Sequence, residues 1–172
     1  MKFDTGTELP DNFVLTKEFN DVYNLINDTN VNLFITGKAG SGKSTLLEYF
    51  RQKTNKNFVT LAFQGITAIK AKGQTLHSFF KFGPHFLAKE EIKLLKDKSL
   101  IQSLDTILID EISMVRADLF DAIDLSLKKN RKNNKPFGGV QMIVFGDVMQ
   151  IDPIVGSSDE EMMEKFYPKG RF

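Results

Sequence analysis

Apolar residues fall at helical spacing over residues 16–27. Phe19, Val22, Tyr23 and Ile26 share one face, and Thr16 stands where an N-cap belongs. The next apolar stretch, "NLFIT" (32–36), is too short for a helix and reads as a short buried strand. Leu46, Leu47 and Phe50 then give one apolar face to a helix ending near Gln52. Three more strands follow: "NFVTLAF" (57–63), "TILID" (106–110) and "VQMIVFGD" (140–147). Val115, Leu119, Ile123 and Leu127 recur every four residues and predict a long helix.

Strands that alternate with helices need crossover connections, so the pattern predicts an α/β fold around a mostly parallel sheet. Residues 82–103 interrupt the alternation. They hold Gly83-Pro84 and then a Lys/Glu-rich stretch with Ile92 and Leu95, read here as a helix within an insertion. "KKNRKNNKPFGG" (128–139) reads as an exposed connection, and the residues after Pro153 have no clear period.

Composition narrows the class. A chain of 172 residues supports one domain with a real core, taken as residues 1–172. Sixteen Phe and no Trp make that core phenylalanine-rich, and the lack of Cys rules out a disulfide or thiolate metal site. No apolar run reaches the ~20 residues of a membrane span, so no membrane partner is expected. The N-terminus lacks an apolar signal core and an Arg-rich leader, which predicts a cytoplasmic protein. The net charge of +1 neither announces nor excludes a nucleic-acid partner.

The chemistry concentrates in three strand ends. Gly37 to Ser44 fits G-x-x-x-x-G-K-S between a strand and a helix. Glycines there let backbone N–H groups turn toward phosphate, and the helix adds its positive N-terminus. Gly37, Ala39, Gly40, Ser41, Gly42, Lys43, Ser44 and Thr45 are thus the candidate nucleotide cradle. Lys43 would reach the β- and γ-phosphates of ATP, and Ser44 would ligate Mg2+. In "ILIDEIS" (107–113), Asp110 ends an apolar strand where it can hold Mg2+ opposite Ser44. Glu111 is placed to polarise the attacking water. "FGDVMQI" (145–151) ends a further strand in polar groups, and the Gln150 amide can bond both a γ-phosphate and a water.

"TLAFQGITAIKAKGQTLHSFFKF" (60–82) has two readings. Thr67, His77 and Ser78 among aromatics and lysines suit single-stranded nucleic acid, with rings stacking on bases. Alternatively Phe79, Phe80 and Phe82 are core and His77 is a structural histidine.

Together these stretches resemble the first motor domain of a superfamily 1 DNA helicase of the Pif type (petite integration frequency helicases), related to the RecD-like helicases. "GKAGSGKST" resembles the family's first motif, and "GITAIKAKGQTLHSFF" its single-strand-binding motifs. The stretch from "IDEISMVRADLF" to "FGDVMQIDPI" resembles its acidic motif, signature region and G-D-x-x-Q motif. The resemblance implies a RecA-like P-loop NTPase domain that uses ATP and Mg2+ to move along single-stranded DNA, 5′ to 3′. It implies catalytic roles for Lys43, Glu111 and Gln150, and single-strand contacts from Thr67, His77 and Ser78. It also implies action on forked or duplex DNA, with residues 82–103 as a small wedge-like subdomain. The family's second motor domain, with the arginines that complete the ATP site, does not follow Phe172, so the resemblance implies a fragment that works with that domain of a full-length chain.

Two departures stand out. Phe19 takes the neighbourhood where the family places an adenine-reading Gln, and Asp152 replaces a proline after G-D-x-x-Q. Two rival readings remain: a P-loop kinase, which would need an acceptor pocket and an arginine-bearing lid, and a non-catalytic nucleotide- or DNA-binding module.

Overall fold

The structure is a computed structural model and describes residue 9 and residues 13–38, 40–147 and 153–168. Thr16 caps the first helix, α1 (Lys17–Asp28), as its hydroxyl accepts from the Phe19 N–H at 3.2 Å. In chain order follow β1 (Leu33–Thr36), α2 (Lys43–Lys53), β2 (Phe58–Ala62), α3 (Gly65–Lys70), β3 (Gln74–Thr75) and α4 (Leu76–Phe80). Then come α5 (Ser99–Ser103), β4 (Thr106–Asp110), α6 (Ala117–Arg131), β5 (Gln141–Gly146) and α7 (Glu160–Phe166). Short 3-10 turns lie at Lys89–Glu91, Ile112–Met114 and Pro136–Gly139.

The five strands lie in the order β1-β5-β4-β2-β3, and every pairing is parallel. A parallel sheet needs cover on both faces, which is why β4 and β5 read as nearly unbroken apolar runs. On one face Ile26 of α1 and Leu46, Leu47 and Phe50 of α2 pack on Leu108, Ile143 and Phe145. On the other, Leu119, Ile123 and Leu127 of α6 pack on Ile107, Ile109 and Met142. Among the described residues no helix is long and apolar enough to cross a membrane.

The N-terminal strand ends are tied by a polar cluster on the side away from the glycine loop. The Lys56 ammonium donates to Ile26 O, Thr29 O and Gln141 Oε1 at 2.7, 2.5 and 2.8 Å. Gln141 in turn accepts from the Thr106 hydroxyl at 3.0 Å and donates to Val31 O at 2.9 Å. These bonds satisfy buried groups that would otherwise lose their water partners.

Several expectations change. β1 is not buried but half-buried: it pairs with β5 alone, so Leu33 and Ile35 face the core while Phe34 stays 47% exposed. The helix expected around Ile92 and Leu95 is absent; that stretch holds only the turn at Lys89–Glu91 before α5. Side chains of α6 satisfy its backbone instead. The Leu87 N–H reaches Asp118 at 3.0 Å, the Leu95 N–H reaches Asn130 at 2.9 Å, and Lys129 donates to Ile92 O at 2.8 Å. Arg131 donates to the carbonyls of Ile101, Gln102 and Leu104. The run beginning at Lys128 is therefore not wholly an exposed connection. Its first four residues end α6, and Asn130 is fully buried. The stretch after Pro153 carries α7, anchored by buried Met163.

Candidate nucleotide and single-strand site

The loop from β1 to α2 crosses the C-terminal edge of the sheet. Gly40 and Gly42 adopt φ of 78° and 90°, the left-handed region that a side chain would strain. Gly42 is the N-cap of α2 and supplies no side-chain acceptor, so the first N–H groups of this eleven-residue helix remain for a ligand. The Ser41 N–H donates to Lys38 O at 3.1 Å and the Leu46 N–H to Gly42 O at 2.8 Å, which shapes the loop and starts the helix. The Lys43 ammonium lies folded back, donating to Gly37 O and, at 3.1 Å, to Lys38 O. Ser41 and Ser44 are exposed, and Gly37 and Thr45 are half-buried. Ala39 lies outside the described residues.

Asp110 ends β4, separated from β1 only by β5. Burial pushes its carboxyl above the ordinary aspartate range; the Glu111 N–H, at 3.0 Å, and the charge of Lys43 pull the other way. Glu111 itself has φ 54° and ψ 53°, a left-handed backbone for a non-glycine residue. Such a conformation costs on the order of 1–3 kcal/mol and persists only where neighbours fix it. Here the Met114 N–H holds Glu111 O at 3.1 Å, and the Val115 N–H closes the turn on Ile112 O at 2.9 Å.

The raised Asp110 pKa sets a testable sign. A folded-state pKa above the unfolded value contributes stability at low pH that is lost as pH rises through the folded value. Ionised Asp110 thus opposes folding at neutral pH. Asp110→Asn should melt a few degrees higher than wild type at pH 7 without nucleotide, and the gap should close below the ordinary aspartate pKa. Thermal melts across pH check this; a lower melting point at pH 7 would contradict it.

The second group of predicted residues leaves the same sheet edge from β2. Thr67 is half-buried on α3. β3 then leads into α4, where the Thr75 hydroxyl caps the Ser78 N–H at 3.2 Å. Gly73 makes this approach possible, since a Cβ there would sit 2.0 Å from Thr60 O. Ser78 is exposed. His77 is half-buried, its ring edge-on to Phe63 at 5.6 Å, beside a cavity of about 190 Å³ lined by Phe82, Pro84, Arg116 and Leu119. Burial first, and Arg116 next, push its pKa below the ordinary histidine value, with Asp118 opposing. The ring is therefore neutral at pH 7. Phe79 and Phe80 are core residues, and Phe82 stacks on Phe80 at 5.3 Å, packed on the same cluster. For these three rings the core alternative holds.

Gln150 lies outside the described residues. Phe19 packs against Phe13 at 5.2 Å and Tyr49 at 5.5 Å, an aromatic cluster beside α2. Sequence reasoning missed a buried ion cluster next to His77. Arg116 grips Asp118 through two bonds of 2.9 and 2.8 Å and reaches Asp159 at 3.0 Å and His85 O at 3.1 Å. Arg116 and Asp118 stand two positions apart, but Asp159 is 43 residues away, so no local spacing reveals it.

Comparison with known proteins places this arrangement. The sequence profile of the PIF1-like helicase family matches residues 14–167. The ATP-dependent DNA helicase Pif1 of Psychrobacter sp. (strain PRwf-1) is 39% identical over 152 residues, covering 80% of this chain and 22% of that relative. A Pif1 helicase from Bacteroides, solved in complex with ADP-AlF3 and ssDNA, superposes with a TM-score of 0.84 at 40% identity, over 94% of this chain and 38% of that one. A Pif1 chain solved to explain DNA unwinding at forked dsDNA by two coordinating Pif1 helicases gives 0.85 at 40% identity, over 93% and 40%. The chain thus spans about a fifth of that curated relative and two fifths of the solved ones.

Proposed function

The chain belongs to the PIF1-like helicase family, and on that footing we propose that it is the ATP-binding motor half of a 5′-to-3′ DNA helicase. The observation that carries the reading is a convergence at one sheet edge. The glycine loop on β1, the Asp110–Glu111 pair on β4 and the segment bearing Thr67, His77 and Ser78 after β2 all open there. Ligands of open parallel sheets lie at this edge.

The residues fit a nucleotide with Mg2+. Among the described residues no group of three carboxylates or histidines could hold a metal alone. Mg2+ is held typically by one or two protein groups plus substrate phosphates, and Asp110 with Ser44 offers that kind of partial shell. Bound Mg2+ would neutralise phosphate charge. Lys43 would leave the loop carbonyls for the β- and γ-phosphates, and the α2 N–H groups would hold the phosphate chain. Glu111 would take the proton from the attacking water. Gln150 keeps its motif-based role of joining the γ-phosphate to DNA grip. Thr67 and Ser78 would bond the DNA backbone through their hydroxyls, and neutral His77 would present an uncharged edge to single-stranded DNA. Unwinding of forked or duplex DNA is assigned to the longer protein, with its second motor domain, and residues 82–103 to its wedge.

The test is titration of a fluorescent ATP analogue with Mg2+ against wild type and Lys43→Ala. Charge-assisted hydrogen bonds contribute about 1.5–3 kcal/mol, so affinity should fall roughly ten- to hundredfold. Equal affinities would remove Lys43 from this role.

A further inference from the structure

Arg51 is a buried cation with no part in the chemistry above. It sits near the end of α2, the helix that begins at the glycine loop, and is only 8% exposed. Its guanidinium donates to Ala71 O and, at 3.4 Å, to Lys72 O, while its buried Nε–H has no partner among the described residues. Glu48, one turn earlier on α2, is its nearby counter-charge. A buried arginine with an unsatisfied nitrogen is costly to keep for packing alone.

What it holds is a turn. At the end of α3 the Gly73 N–H bonds Ala68 O at 2.8 Å and the Lys72 N–H bonds Ile69 O at 3.0 Å. That pattern is a Schellman ending, with Lys72 at φ 49° where glycine is usual. The Arg51 charge meets the carbonyls of Ala71 and Lys72 at the negative end of the helix. One residue later Gly73 is pressed against Thr60 of β2. The turn is thus clamped from α2 on one side and from β2 on the other. Thr67 lies just before it, and His77 and Ser78 just after.

We propose that Arg51 is a positioning residue that fixes the α3–β3 turn to the phosphate-loop helix, and so sets the register of the single-strand segment relative to bound nucleotide. The proposal rests on the reading of Thr67, His77 and Ser78 as DNA contacts. A shift of α2 on nucleotide binding moves this turn directly, because the guanidinium grips backbone rather than a side chain. Arg51 lies outside the stretch from Gly40 to Thr45 proposed to hold nucleotide.

The experiment compares wild type, Arg51→Met and Arg51→Lys by oligo-dT binding, ATP-analogue binding and amide hydrogen exchange. Arg51→Met keeps the apolar stem and removes both carbonyl bonds. It should weaken oligo-dT binding by roughly five- to thirtyfold, leave ATP-analogue affinity within about twofold, and speed exchange at residues 71–75. Arg51→Lys, whose ammonium can reach one carbonyl, should restore part of the loss. It also serves as the probe should Arg51→Met not fold. Unchanged oligo-dT affinity in a folded variant would overturn the proposal, as would parallel loss of both affinities. Failure of wild type to bind oligo-dT would sink the DNA reading itself. The exchange data then decide the positioning role alone: unchanged protection at 71–75 rejects it.

Discussion

Glu111→Gln should lower single-turnover ATP hydrolysis by about 10²–10⁴-fold, the range typical of a positioned general base, while nucleotide affinity stays within about twofold. Backbone geometry singles out Glu111 over its neighbour. Asp110 continues the extended strand, whereas Glu111, equally half-buried, breaks it with a left-handed backbone. The 3-10 turn that follows holds that twist through Met114 and Val115. Glu111 thus leaves the line of the strand at the same strand end, which makes it the candidate to hold the attacking water. Glutamine keeps the length and hydrogen-bonding shape but cannot take a proton. Quenched-flow measurement with protein in excess over ATP isolates the chemical step. Retained hydrolysis would exclude Glu111 as base, and loss of binding instead of rate would assign it to the metal.

Asp118→Ala should cost about 3–5 kcal/mol, the range for removing one partner of a buried ion pair. Native domains have only about 5–15 kcal/mol in total, so the effect would be large. Asp118 is completely buried and receives three donors: two from Arg116 and the Leu87 N–H. Its removal leaves Arg116 buried beside Asp159 with two of its four bonds gone, and strands a backbone N–H of the 82–103 segment. Arg116→Met with Asp118→Leu should recover little, because Leu87 N–H, His85 O and Asp159 would still lose partners. The denaturant midpoint and slope give the number. A loss below about 1 kcal/mol would mean the cluster behaves as an exposed pair. The same variant should push the pKa of His77 further down, because Asp118 is the charge that opposes burial and Arg116 there.

The periodic signals decided much of this protein in advance. Thr16 and the spacing from Phe19 to Ile26 fixed α1, because helix caps and amphipathic faces are local properties. The run at 106–110 and the four-residue spacing from Val115 to Leu127 gave β4 and α6 for the same reason. The glycine loop was legible because its conformation demands residues without side chains at fixed positions, and the Asp110–Glu111 pair because an apolar strand ends in charge.

Tertiary structure alone decided the rest. Whether Phe79 and Phe80 stack on bases or fill the core depends on what lies across from α4, and that is Leu87, Ile92 and Ile101 from a segment without its own period. That segment forms no long helix because α6 side chains satisfy its backbone from outside, a choice invisible in residues 82–103 themselves. Arg51 and Arg116 look like ordinary surface charges in sequence. Burial and backbone carbonyls 20 or more residues away turn them into clamps. Local sequence sets dihedral preference and facing, whereas desolvation and long-range hydrogen bonds depend on which elements the sheet brings together.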